Sequence, residues 1–136
     1  MRNRFESKIV IVTGAASGIG ETTAIKFANE GAKVVVADIN KETGNIVVEK
    51  IKKDDGESIY VETNVAEFSS VDNMVSQTLE TFGTPDVLIN NAGINVFGEP
   101  LNMLDSEWKR AFSVDLDGVW FGCKAVLPHM LKKNKG

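Results

Sequence analysis

Three glycines constrain this chain more than any other feature. Gly14, Gly18 and Gly20 stand in Val12-Thr13-Gly14-Ala15-Ala16-Ser17-Gly18-Ile19-Gly20, directly after the β-branched run Ile9-Val10-Ile11-Val12. A helical pattern follows over residues 19 to 30, with Ile19, Thr23, Phe27 and Ala28 along one face and Gly31 where a C-cap belongs. A strand, a glycine turn and a helix in that order present free amide groups and the positive end of a helix dipole, which suits a phosphate. Gly14 allows the turn, Gly18 lets a pyrophosphate reach the backbone, and Gly20 lets helix and strand pack closely. A tight turn with no ligand has the same look, so the loop needs a second signal.

The rest of the chain repeats the alternation. Lys33-Val34-Val35-Val36-Ala37, Ser58-Ile59-Tyr60-Val61 and Asp86-Val87-Leu88-Ile89 read as further strands. The near-continuous apolar runs at residues 8–12 and 33–37 fit strands buried on both faces of a parallel sheet, and the other two are further candidates. Residues 41 to 53, behind Asn40 as N-cap, read as a helix. So does the pattern Val71, Met74, Val75, Leu79, Phe82, closed by Gly83 and Pro85. The last segment predicts one long helix from about Asp105 to Lys132, capped by Asp105 and bent or ended early by Pro128. Gly118 and Gly122, one turn apart inside it, predict either a close approach by another backbone or simple tolerance. The order β-α-β-α-β-α-β predicts an α/β fold with a doubly wound parallel sheet, and residues 1–136 read as a single domain.

The second signal is Asp38, which ends the second strand 18 residues after Gly20. An acidic residue at about that distance is placed to accept hydrogen bonds from an adenosine ribose. It would also repel a 2′-phosphate, and no Arg or Lys stands at 15 to 17 or at 39, so NAD is expected over NADP. Bulk properties remove other classes. A formal charge of −4 with interspersed signs gives no footprint for nucleic acid or an anionic membrane. One cysteine and one histidine leave no disulfide and argue against a zinc site. No apolar run approaches a membrane span and MRNRFESK lacks a signal peptide's apolar region, so a cytoplasmic protein is expected.

The loop has the form T-G-x-x-x-G-I-G, and Asn90-Asn91-Ala92-Gly93 follows the fourth strand. With Asp115-Leu116-Asp117-Gly118-Val119 through Leu127-Pro128-His129-Met130, these resemble the short-chain dehydrogenase/reductase family over nearly the whole chain. The resemblance implies a Rossmann-like sheet of order 3-2-1-4 and an NAD(P)-dependent oxidoreductase that interconverts an alcohol and a carbonyl. It places Gly14, Ser17, Gly18, Ile19 and Gly20 along the pyrophosphate and Asp38 on the adenosine ribose. Asn64 and Val65 fall at the pair bordering the adenine, where the family more often has Asp first. Asn90, Ala92 and Gly93 fall beside the adenosine half and the nicotinamide ribose. Asp115 stands where the family carries an Asn that helps hold a water in a proton relay. Asn95, Val96 and Phe97 are candidates for the substrate entrance.

The family's catalytic Ser and Tyr-x-x-x-Lys have no counterpart in these residues. Tyr60 is the only tyrosine, and the fourth residue after it is Asn64. Three readings follow: the front part of a longer enzyme, which is preferred; a short NAD-binding or regulatory module; or an enzyme using His129 or Cys123. A nucleotide-methyl-donor methyltransferase also uses a glycine loop and an acidic strand end, but Asn90-Asn91-Ala92-Gly93 argues against it. The strand at 86 to 90 would be an exposed edge, and Trp108, Phe112, Trp120 and Phe121 exceed what four strands can cover. A homo-oligomer through the last helix or the sheet edge is therefore expected.

Overall fold

The computed structural model describes residues 3–136. Four strands, β1 (Ile9–Thr13), β2 (Lys33–Asp38), β3 (Glu57–Glu62) and β4 (Val87–Ile89), form one sheet in the order β3-β2-β1-β4. Every pairing is parallel: Ile11 lies beside Val35 on one side and Leu88 on the other. Parallel neighbours need crossovers, and helices α1 (Gly18–Asn29), α2 (Lys41–Lys53) and α3 (Phe68–Thr81) supply them. The doubly wound α/β sheet and its 3-2-1-4 order are as the sequence predicts.

Side-chain alternation divides the core in two. Val10, Val12, Val34 and Val36 pack with Ala24 and Ala28 of α1 and Val47, Val48 and Ile51 of α2. Ile11, Val35, Ala37 and Val61 point the other way, onto Val71, Met74 and Val75 of α3 and onto Ala125 and Val126 further on. All five residues of β1 are buried, and its one polar side chain, Thr13, is hydrogen-bonded. Each such aliphatic side chain contributes about 1.5–3 kcal/mol when removed from water.

Asn40 caps α2 as expected, its side chain accepting from the Thr43 N–H at 3.1 Å. Gly31, at φ +90°, closes α1 by donating to the Ala28 carbonyl. The buried face of α1 is Gly20, Ala24 and Ala28, not the expected stripe through Ile19 and Thr23. Small residues are selected there because α1 lies close on the sheet, and Ile19 is left 79% exposed.

The predicted long helix is helical throughout but is not one α-helix. It runs as α4 (Asp105–Phe112), a π turn (Ser113–Asp117) and α5 (Gly118–Lys133). Leu104, not Asp105, is the N-cap; Glu107 reaches back to accept from the Leu104 N–H at 3.0 Å. Pro128 sits within α5 without ending it. Gly118 marks a close approach by another backbone, while Gly122 is approached by side chains only. A Cβ on Gly118 would stand 3.2 Å from the Val65 carbonyl oxygen, and one on Gly122 would fall on the Asn90 side chain. Among the described residues no helix is long and apolar enough to cross a membrane.

Candidate functional site

The C-terminal ends of β1, β2 and β4 open into one cleft of ≈ 390 Å³. Gly14, Ser17, Gly18, Ile19, Gly20, Asp38, Asn64, Val65, Ala92 and Gly93, all singled out in the sequence, line it. Asn90 does not. Its side-chain amide donates to Cys123 Sγ at 3.6 Å, and both residues border a separate groove. Asn95, Val96 and Phe97 lie on the loop beyond and line no part of it.

The glycine loop closes on itself. Gly14 is in the left-handed region at φ +63°, and a Cβ there would meet the Ala92 Cα at 2.8 Å. A Cβ on Gly20 would fall on the Gly14 carbonyl. Gly18, at φ +56°, has open space in front of it instead. The first helical hydrogen bond of α1 runs from the Glu21 N–H to the Ser17 carbonyl, and Ser17 provides no side-chain cap. The amide groups of Gly18, Ile19 and Gly20 thus lack intrahelical acceptors and stand at the cleft. This cradle fits a diphosphate: bare donors, a dipole end and no side chain in the way.

Asp38 is held rigidly. One carboxylate oxygen accepts from the Ala16 N–H at 2.9 Å and the other from the Asn40 N–H at 2.9 Å. Each oxygen keeps a further lone pair for a sugar hydroxyl. Behind it, the Tyr60 hydroxyl donates to the Asp38 carbonyl at 2.8 Å. Burial, with Glu62 and Asp38 nearby, pushes the Tyr60 hydroxyl up to about 12.

Two residues outside the predicted contacts lock the other wall. Thr13 Oγ1 donates to the Ile89 carbonyl and accepts from the Asn91 and Ala92 N–H groups. The Asn91 amide donates to the Thr13 and Gly14 carbonyls at 2.9 and 3.2 Å. Both residues belong to the T-G-x-x-x-G-I-G and Asn-Asn-Ala-Gly motifs, yet only the β1–β4 pairing reveals that they bond each other. Asn64 is tied into the turn entering α3: Oδ1 accepts from the Ala66 N–H and Nδ2 donates to Glu67. Asp115, in the π turn, accepts from the Ile94 N–H at 2.8 Å. Ile39, Ile94 and Val114 also line the cleft, with no signal in the sequence alone.

Cys123 and His129 lie on α5 and do not line the cleft. Cys123 borders a separate groove along β4 with Leu88, Val126 and Met130. Among the described residues no group of His, Cys, Asp and Glu is placed to hold a metal ion.

A sheet of this order with a glycine cradle and a carboxylate at the end of β2 defines a dinucleotide-binding protein of the doubly wound class. Residues 8–136 match the family model for short chain dehydrogenases, and the chain belongs to that family. It is 42% identical to meso-2,3-butanediol dehydrogenase of Serratia marcescens over 95% of this chain and 51% of that protein. It is 39% identical to secoisolariciresinol dehydrogenase of Forsythia intermedia, over 98% of this chain and 48% of that one. A hydroxysteroid dehydrogenase crystal structure from Escherichia coli superposes with a TM-score of 0.91 at 31% identity, over 97% of this chain and 56% of the other. The chain spans about half the length of the curated relatives it matches.

Proposed function

We propose that the cleft binds NAD, in preference to NADP, and that this chain is the cofactor-binding part of an oxidoreductase interconverting an alcohol and a carbonyl. The observation that carries the reading is the fixed Asp38 carboxylate facing a glycine cradle of bare amides. Gly18, Ile19 and Gly20 would hold the diphosphate, and Asp38 the adenosine ribose. A carboxylate pinned by two backbone amides cannot swing away from a 2′-phosphate, which supports the NAD preference. When bound, the nicotinamide gives or takes the hydride; the protein's part is to position it.

Relatives named as dehydrogenases of meso-2,3-butanediol, secoisolariciresinol and a hydroxysteroid share no single substrate, so the proposal stops at the reaction class. These 136 residues alone are proposed not to turn over. Their one tyrosine is bonded to the Asp38 carbonyl and has no lysine four residues on. The exposed aromatic stripe of α4 and α5 is proposed to pair with a second copy.

Calorimetric titration with NAD and NADP tests the reading. NAD should bind and NADP bind at least tenfold more weakly, while Asp38→Ala should narrow that gap. Equal affinity for both cofactors, or no heat from either, would overturn it.

A further inference from the structure

We infer that the Asp115 carboxylate is a specificity residue that tilts the cleft toward the oxidised coenzyme, an inference that rests on the dinucleotide reading above. The cleft has two sides. Asp38, at the end of β2, marks the adenosine side. In a doubly wound sheet the dinucleotide lies across the point where strand order reverses, which in β3-β2-β1-β4 is the gap between β1 and β4. The second nucleoside therefore falls over the loop that leaves β4.

That loop is where Asp115 acts. Its Oδ1 accepts from the Ile94 N–H at 2.8 Å and stands 3.4 Å from where a Gly93 Cβ would be. Gly93 and Ile94 line the cleft, and so does Val114, the residue before Asp115. A carboxylate is thus fixed directly behind the cleft wall on the nicotinamide side. The π turn at Ser113–Asp117 brings both Val114 and Asp115 to this wall.

The chemistry that would notice this charge is specific. Oxidised nicotinamide is a cation and reduced nicotinamide is neutral, while the diphosphate and adenosine halves are the same in both. A nearby negative charge therefore favours the oxidised form and leaves the shared contacts unaffected. Asp115 is solvent-exposed, so the bias is modest, about threefold, and screened by salt.

The test compares dissociation constants of NAD⁺ and NADH for the unmodified protein, Asp115→Asn and Asp117→Asn. Asparagine keeps an acceptor for the Ile94 N–H and removes only the charge. Asp117 lies in the same π turn, is exposed, and makes no side-chain cap, so it controls for net charge. Asp115→Asn should weaken NAD⁺ about threefold relative to NADH, and Asp117→Asn should leave the ratio unchanged. In the unmodified protein, raising salt should shrink the NAD⁺ preference, an arm that needs no variant to fold. A ratio indifferent to Asp115→Asn, one indifferent to salt, or one moved equally by Asp117→Asn, overturns the inference while leaving the dinucleotide site standing. Failure of the unmodified protein to bind either coenzyme removes the site itself.

Discussion

The Tyr60 hydroxyl donates to the Asp38 carbonyl at 2.8 Å, and the Tyr60 ring reaches that position by lying over Gly44 in α2. A Cβ on Gly44 would fall on the ring. Helix α2, strand β3 and the end of β2 are thereby joined through one phenol. The same end of β2 carries the carboxylate held by Ala16 and Asn40.

Gly44→Ala should therefore destabilise the fold, although alanine is the better helix former by about 1 kcal/mol. The ring cannot yield while its hydroxyl is bonded. In a Tyr60→Ala background the same Gly44→Ala change should become stabilising by up to about 1 kcal/mol. Urea denaturation of the four proteins checks this double-mutant cycle. A Gly44→Ala effect of the same size and sign in both backgrounds would count against the contact.

Alkaline behaviour follows from the same phenol. Burial, then Glu62 and Asp38, raise Tyr60 to about 12 from its ordinary value near 10. The unfolded chain releases this proton first as pH rises, so ν is smaller in the unfolded state and stability falls with pH. The contribution is full below pH about 10 and is lost between about 10 and 12. Ultraviolet absorbance of the single tyrosine should show tyrosinate in the folded protein only near pH 12.

Asp86 contributes to stability on the acid side. Burial pushes its carboxyl up, but the Ile9 N–H at 3.0 Å and the ammonium groups of Lys133 and Lys8 outweigh burial and hold it below the ordinary value. A depressed carboxyl contributes stability that is present above its unfolded value, near 3.9, and lost as pH falls through the folded value. Asp86→Asn should remove that acid-side loss and cost about 1–3 kcal/mol at neutral pH, since the charge-assisted bond to Ile9 is replaced by a neutral one. Thermal melts from pH 3 to 7 check both statements. An unaltered acid limb in the variant would assign the loss to other carboxylates.

Thr13→Val should loosen the cleft more than its isosteric shape suggests. It removes the acceptor for the Asn91 and Ala92 N–H groups and the donor to the Ile89 carbonyl. Two amides lose a partner, at about 1–3 kcal/mol each where water cannot replace it. Hydrogen exchange at Asn91 and Ala92 should accelerate while the amides of β2 and β3 keep their protection.

Self-association is expected through α4 and α5. Trp108 is 56% and Trp120 62% exposed, and Phe112 packs against Trp108 at a ring separation of 4.5 Å with the rings tilted by 34°. So large an apolar surface is costly in a monomer. Sedimentation velocity should show a dimer or larger species that Trp108→Glu with Trp120→Glu converts to monomer. A monomer at all concentrations before any substitution would remove the interface.

Much of this molecule is legible in one dimension. β1 and β2 emerge from β-branched runs, because a strand buried on both faces tolerates little else at Val10, Ile11, Val34 or Val35, whereas β3 and the half-buried β4 carry a weaker signal. The glycine cradle and Asp38 are legible because steric freedom and charge at a strand end belong to single residues. The π turn is not, since Ser113 to Asp117 adopt ordinary helical residue types and only their hydrogen-bond register differs. Nor is the face of α1, where Ile19 suggested a core position and the sheet instead selected Gly20 and Ala24.

Sequence by itself determined the alternation of strands and helices, the location of the glycine turn and the acidic strand end, all properties of local pattern. Tertiary structure alone decided which partners those groups meet. Asn90 is turned to Cys123, Asn91 to Thr13, and Asp115 to Ile94, across separations of 21 to 78 residues. Hydrogen bonds of that kind depend on how sheet and helices pack in space, and no periodicity along the chain records it.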